Sequence, residues 1–165
     1  MPIAFNADEV LGMAEQIERN GTSFYRKGAS IVKDEETKKL LDDLARWEET
    51  HEKLFKAMRA ELTDEERAAT AADPDGEAEL YIQAMADTHV FNVKKDPLKL
   101  LAGKKKPLDV LAAALEFEKD SILFFMGLSR AVPARLGKDR VDKIVQEEFR
   151  HVAFINRRMG ALKKA

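Results

Sequence analysis

No cysteine occurs in the 165 residues. Its absence excludes disulfides, thiolate zinc sites and iron–sulfur centres held by thiolates. Glycine and proline are scarce, at 8 and 5 residues, which together with 35% charged residues suits a helical chain. Charge of one sign is lacking too: the formal net charge is −2, which gives no electrostatic reason to expect a nucleic-acid partner. Long apolar runs are missing. The longest, Ile122 to Leu128, is far too short to span a bilayer, so no membrane partner is expected. The first residues, Met1-Pro2-Ile3-Ala4-Phe5-Asn6, lack a basic segment followed by a long apolar run. No signal peptide is read, and a cytoplasmic location is expected. The length suits one domain, 1–165, with enough chain to bury a core.

What is present is a pattern written twice. Glu18, Glu48 and His51 recur as Glu118, Glu148 and His151, each at an offset of 100 (118−18, 148−48, 151−51). Neighbours keep the same register: Leu11 with Leu111, Ala14 with Ala114, Phe24 with Phe124, Val32 with Val132, Tyr25 with Phe125 and Leu44 with Ile144. Each copy is a lone glutamate followed thirty residues later (48−18) by Glu-x-x-His. That is the ligand set of a carboxylate-bridged di-metal site inside a four-helix bundle.

The flanking sequence places these residues on helices. Asn6 with Glu9 reads as a capping box, opening a helix to about Val32 with the stripe Leu11, Ala14, Glu18, Gly21, Tyr25 and Gly28. Asp34 can cap a second helix to about Leu62, with Leu41, Leu44, Glu48, His51, Phe55 and Met58 on one side. Pro107 fits the first turn of a third, carrying Leu111, Leu115, Glu118, Ser121 or Ile122, and Phe125. Pro133 and Gly137 break the chain before a fourth, carrying Val141, Ile144, Glu148, His151, Ile155 and Met159. The expected fold is all-α: two related antiparallel hairpins, about 7–62 and 107–162, joined by a long crossover over about 63–106. Within that crossover, Asp73-Pro74-Asp75-Gly76 signals a turn, Glu77 to Phe91 suits a further helix, and Asp96-Pro97 suits a short helical turn. It can run along the bundle or reach a second subunit. The run Lys104-Lys105-Lys106, beside Gly103 and Pro107, reads as a solvated loop.

Every ligand candidate falls on the apolar stripe of its helix. An unpaired buried carboxylate is costly, so such residues are protonated, paired or metal-bound. Depth agrees: at 1.5 Å per residue, Glu18 and Glu48 both lie roughly 22 Å from the turn near Lys33. Antiparallel packing therefore levels them, and the same count around Pro133 levels Glu118 with Glu148 and His151.

The chemistry explains the residue types. Four glutamates offset the charge of two divalent ions, and carboxylates bridge cations. Imidazole suits iron, manganese, zinc, copper or nickel. Residues i and i+3 share a helix face, so Glu48 and His51 can bind one metal together. A single Glu-x-x-His is a weak signal in an acidic helix; two, each trailing a core glutamate at one spacing, are a strong one. Glu147 lies four residues before His151 and can also reach that face, but the repeat favours Glu148. Glu15, Glu49 and Glu116 sit beside the stripes, as ligand supports or solvated residues. Tyr25 points the way Glu18 does: it either hydrogen-bonds a ligand carboxylate or is a plain core tyrosine. His89 has no repeat partner and reads as structural.

Ile17-Glu18-Arg19-Asn20-Gly21 through Phe24-Tyr25, Trp47-Glu48-Glu49-Thr50-His51, Phe117-Glu118-Lys119-Asp120 and Glu148-Phe149-Arg150-His151 together resemble a rubrerythrin-type member of the ferritin-like di-iron superfamily. The resemblance spans nearly the whole chain. It implies a four-helix bundle in which Glu18, Glu48, His51, Glu118, Glu148 and His151 bind two irons, with Glu48 and Glu148 bridging; manganese and zinc are the alternative metals. Two features depart from the family pattern. With no cysteine there is no rubredoxin-like iron–thiolate domain, so electrons must come from an external donor. Ser121 stands where the family carries an extra glutamate that takes part in its peroxidase cycle.

Three functions are compatible with this reading. The first is a redox enzyme that reduces peroxide or dioxygen, the second a ferroxidase or iron-binding and storage protein. The third is a helical interaction module with a structural metal. A homo-oligomer, with a dimer favoured, is the expected state.

Overall fold

The computed structural model describes residues 5–68 and 106–164. The features expected at 73–76, 77–91 and 96–97, His89, and Lys104 with Lys105 lie outside these residues. Among the described residues all regular structure is helical: α1 Ala7–Ile31, α2 Glu35–Ala60, α3 Pro107–Ala131 and α4 Lys138–Leu162, with a 3₁₀ turn at Ala134–Leu136 before α4.

The start signals do what their chemistry requires. Glu9 donates its backbone N–H to Asn6 Oδ1 at 2.8 Å, and the Asn6 N–H returns to Glu9 Oε2 at 2.9 Å. This reciprocal pair satisfies two donors that the first turn of α1 leaves open. Asp34 accepts from the Thr37 N–H at 2.7 Å and caps α2. Its carboxyl is held below the ordinary range by hydrogen bonds from Thr37. Pro107 occupies the first turn of α3, where its missing N–H costs nothing. Gly137 has φ +88°, a left-handed conformation suited to glycine, and turns the chain from the 3₁₀ turn into α4.

α1 packs against α2 and α3 against α4, each as a hairpin with a short connection, and the hairpins meet along α1–α4 and α2–α3. A Cβ built on Gly137 would lie only 2.5 Å from the Ala7 side chain, so α1 and α4 begin side by side. Glu18 is eleven residues beyond Ala7 (18−7), and Glu148 is eleven beyond Gly137 (148−137). Parallel helices with that equal count reach one level. α1 and α4 therefore run one way and α2 and α3 the other, the direction pattern of a bundle with a long crossover.

The core follows the repeat. Leu11 and Leu111, Ala14 and Ala114, Leu44 and Ile144, and Tyr25 and Phe125 are all buried. On α3 both Ser121 and Ile122 are buried. At the end where α1 begins, Asp8 takes two hydrogen bonds from Arg59, at 2.8 and 2.9 Å, and one from Arg67 at 3.1 Å. Asn6 Nδ2 donates to the carbonyl of Ala68 at 3.1 Å, fixing the start of the chain after α2 against α1. No helix among the described residues is long and apolar enough to cross a membrane.

Candidate metal centre

The four helices carry their polar residues to one buried layer. α1 supplies Glu18, α2 Glu48 and His51, α3 Glu118, and α4 Glu148 and His151. Glu18 and Glu148 are each 1% exposed and Glu48 and Glu118 each 3%, in a core otherwise built of apolar side chains. His151 is buried and His51 half-buried.

The carboxylates meet in pairs that follow the repeat. Glu18 hydrogen-bonds Glu48 within the first hairpin, and Glu118 hydrogen-bonds Glu148 within the second. His151 closes the second pair: its Nδ1 lies 2.9 Å from Glu118 Oε2 and 3.6 Å from Glu148 Oε2. Ligand atoms of Glu118, Glu148 and His151 all lie within 4.8 Å of one another, a buried candidate metal site. Glu18, Glu48 and His51 do not form a second such cluster among the described residues. The His51 ring instead faces His151, with His151 Nε2 at 2.6 Å from His51 Nδ1 and 3.0 Å from His51 Nε2.

The electrostatics are those of crowded acids. Glu18 is pushed well above the usual carboxyl range, first by burial and then by the field of Glu48. Glu118 is raised by burial and by Glu48, and Glu148 by burial and by Glu118. Among the described residues, the groups that shift these three are other glutamates and His151. His51 is pushed down to about 3, mainly by burial and then by the neighbouring His151. Tyr25 is buried, and its phenol is raised by burial and by the fields of Glu48, Glu118, Glu18 and Glu148. The hydroxyl lies under the field of all four carboxylates.

These residues suit a cation. Glu18 Oε2 and Glu148 Oε1 are buried without a hydrogen-bond partner among the described residues, and a buried acceptor left so is costly. Oxygen and imidazole nitrogen donors in this ratio match divalent first-row metals.

The neighbouring acids separate from the layer. Glu147 pairs with Arg150, Glu49 with Arg26, and Glu116 with Lys119. Glu15 is buried but faces Arg59 at 3.5 Å and Arg19 at 3.7 Å. Two residues given no role from the sequence, Trp47 and Phe154, wall the histidine side. Trp47 stacks on His151 with centroids 5.2 Å apart and planes 23° apart, and Phe154 lies 3.8 Å from Trp47. The repeat register could not reveal them, because Trp47 corresponds to Glu147 and Phe154 to Leu54.

A family model described as Rubrerythrin matches residues 9–94, more than half of the chain. The chain belongs to the Rubrerythrin family. The match takes in α1 and α2, with Glu18, Glu48 and His51; the second half of this rubrerythrin-family chain, with Glu118, Glu148 and His151, lies beyond it. A crystal structure of a candidate ferritin-like diiron-carboxylate protein from Thermotoga maritima is similar over 93% of this chain and 94% of that one, with a TM-score of 0.56 and 24% identity. That likeness shows the ferritin-like fold. No curated protein sequence matches the chain.

Proposed function

We propose that this rubrerythrin-family chain is a di-iron redox protein that reduces peroxide or dioxygen with electrons from an external donor. One observation carries the reading: a duplicated Glu and Glu-x-x-His set converges from four helices on one buried layer, in which burial raises Glu18, Glu118 and Glu148. Glu18, Glu48 and His51 would hold one iron and Glu118, Glu148 and His151 the other. Bound iron would supply electrons by cycling between its ferrous and ferric states.

The protein's own residues do the rest. The carboxylate pairs fix the spacing of the layer and neutralise its cations. Tyr25, kept protonated by burial and by the glutamates, holds a proton beside them. Trp47 and Phe154 exclude bulk water on the histidine side. A second copy of the chain is the partner favoured, with the exposed Leu123 and Met126 on α3 as the apolar surface available to it.

A ferroxidase or iron-binding role is the second reading. It is favoured by Ser121, whose buried hydroxyl occupies the place of a further carboxylate. The two separate by turnover: iron-loaded protein given peroxide and a reductant should consume peroxide in many cycles if the first holds. A single oxidation without recycling supports the second.

A further inference from the structure

A cavity of about 250 Å³ opens between α2 and α4, lined by Asp43, Leu44, Arg46, Trp47, Phe154 and Arg158. Its wall is aromatic, formed by Trp47 and Phe154 in contact. The same indole stacks on His151, so one ring is shared by the cavity and the buried acidic layer. The rim is cationic. Arg46 pairs with Asp43, and Arg158 approaches the same carboxylate at 3.5 Å, so two guanidiniums face one acid and leave a net positive charge. Both arginine side chains are well exposed, at 64% and 42%. The volume takes a small fused-ring molecule and not a folded domain. Aromatic faces favour a flat π-system, and guanidinium forks favour a carboxylate, sulfonate or phosphate.

We propose that this cavity binds a planar aromatic reductant of the hydroquinone class carrying an anionic group, and that its electrons pass through Trp47 to the buried layer at His151. The inference rests on the redox reading above and supplies the external donor that reading requires. The balance closes: the hydroquinone gives up two electrons and two protons and becomes a quinone. Peroxide takes up both, its O–O bond breaks, and two waters form.

Trp47 is the sole tryptophan, so its fluorescence reports on the cavity directly. The probe is 1,4-naphthoquinone-2-sulfonate, titrated into wild-type protein and into the Arg46→Gln/Arg158→Gln double variant. The expected result is saturable quenching in wild type, weakened about tenfold or more in the double variant by loss of the charge-assisted contacts. The parent naphthoquinone, lacking the sulfonate, should bind more weakly than the probe. Quenching that rises linearly without saturation, or that is equal in both proteins, overturns the site. In iron-loaded protein, peroxide-driven oxidation of the matching hydroquinone should show a raised KM in the double variant with kcat retained. Trp47→Leu should lower kcat. Peroxide reduction by this donor that is indifferent to all three changes overturns the cavity as its entry point and leaves the peroxide reading standing. Saturable probe binding without peroxide reduction by this donor overturns the donor role, and peroxide reduction sustained by another reductant in the same protein leaves the peroxide reading standing.

Discussion

Glu118 on α3 and His151 on α4 meet at 2.9 Å with both side chains buried. The contact joins the lone glutamate of the second repeat to the histidine that follows it by thirty-three positions (151−118). His151→Ala should leave Glu118 without this partner and remove a candidate metal ligand. Stability of the metal-free protein should fall by about 1–3 kcal/mol, the usual cost of stranding a buried polar group. Chemical denaturation of the metal-free variant checks the first effect, and iron stoichiometry the second.

Metal should stabilise the fold. Glu18 and Glu118 are raised first by burial and then by the field of Glu48, and Glu148 by burial and then by Glu118, so the metal-free layer is an unfavourable core. Ferrous iron that binds only the folded chain raises stability by roughly 3 kcal/mol at a hundredfold excess over its dissociation constant. Replacing Glu18 and Glu118 together with leucine should raise the stability of the metal-free protein by about 1–4 kcal/mol. It should also abolish the metal-dependent shift. Anaerobic melting curves with and without iron decide both, and an unchanged shift in the variant would place the metal elsewhere.

Much of this layer was legible in the sequence, and the reasons are specific. Asn6 with Glu9, Asp34, Pro107 and Gly137 each solve a local backbone problem, so they fix helix starts without reference to the rest of the chain. Glu18, Glu48, Glu118 and Glu148 are charged residues on apolar stripes, a conflict that only burial with a purpose resolves. What escaped depends on contacts between helices. Glu15 is buried because Arg59, from the far end of α2, reaches it at 3.5 Å, and no spacing within α1 encodes that. His51 is turned onto His151 across the bundle and is the least buried of the ligand candidates, although its sequence setting matches that of His151. Trp47 and Phe154 break the repeat, so the register that exposed the ligand candidates concealed their wall.

Glycine positions offer a test of the helix packing. Gly137 combines φ +88° with a Cβ direction only 2.5 Å from Ala7. Gly137→Ala should cost about 1–3 kcal/mol through strain and overpacking. Gly127 on α3 has nothing within 4 Å of the same construction. Gly127→Ala should stabilise by about 0.4–1 kcal/mol. Thermal unfolding of the two variants should move in opposite directions.

The ion pair at the end of the bundle sets a pH dependence. Asp8 is lowered from 3.8, first by its hydrogen bonds from Arg59. Its folded value lies below its unfolded one, so its contribution is present above about pH 4 and is lost as pH falls through the folded value. Asp8→Asn should lower the melting temperature at pH 7, and the gap from wild type should close as the pH is brought down through the folded value. A gap that persists in acid would assign the effect to packing and not to charge.

Ser121 tests the limit of the redox cycle. It is buried one turn beyond Glu118, and its Oγ has no hydrogen-bond partner among the described residues. Ser121→Glu would add a carboxylate to the layer. Steady-state peroxide reduction with a fixed external donor should rise if the absent carboxylate limits turnover, and an unchanged rate would show that donor supply limits it.

The most direct measurement is an anaerobic titration of metal-free protein with ferrous iron, read by calorimetry and by the charge-transfer absorbance that follows oxidation. If each of the two repeated sets, Glu18, Glu48 and His51 and then Glu118, Glu148 and His151, serves one ion as proposed, binding should saturate at about two irons per chain. Saturation at one, or no binding, would contradict it.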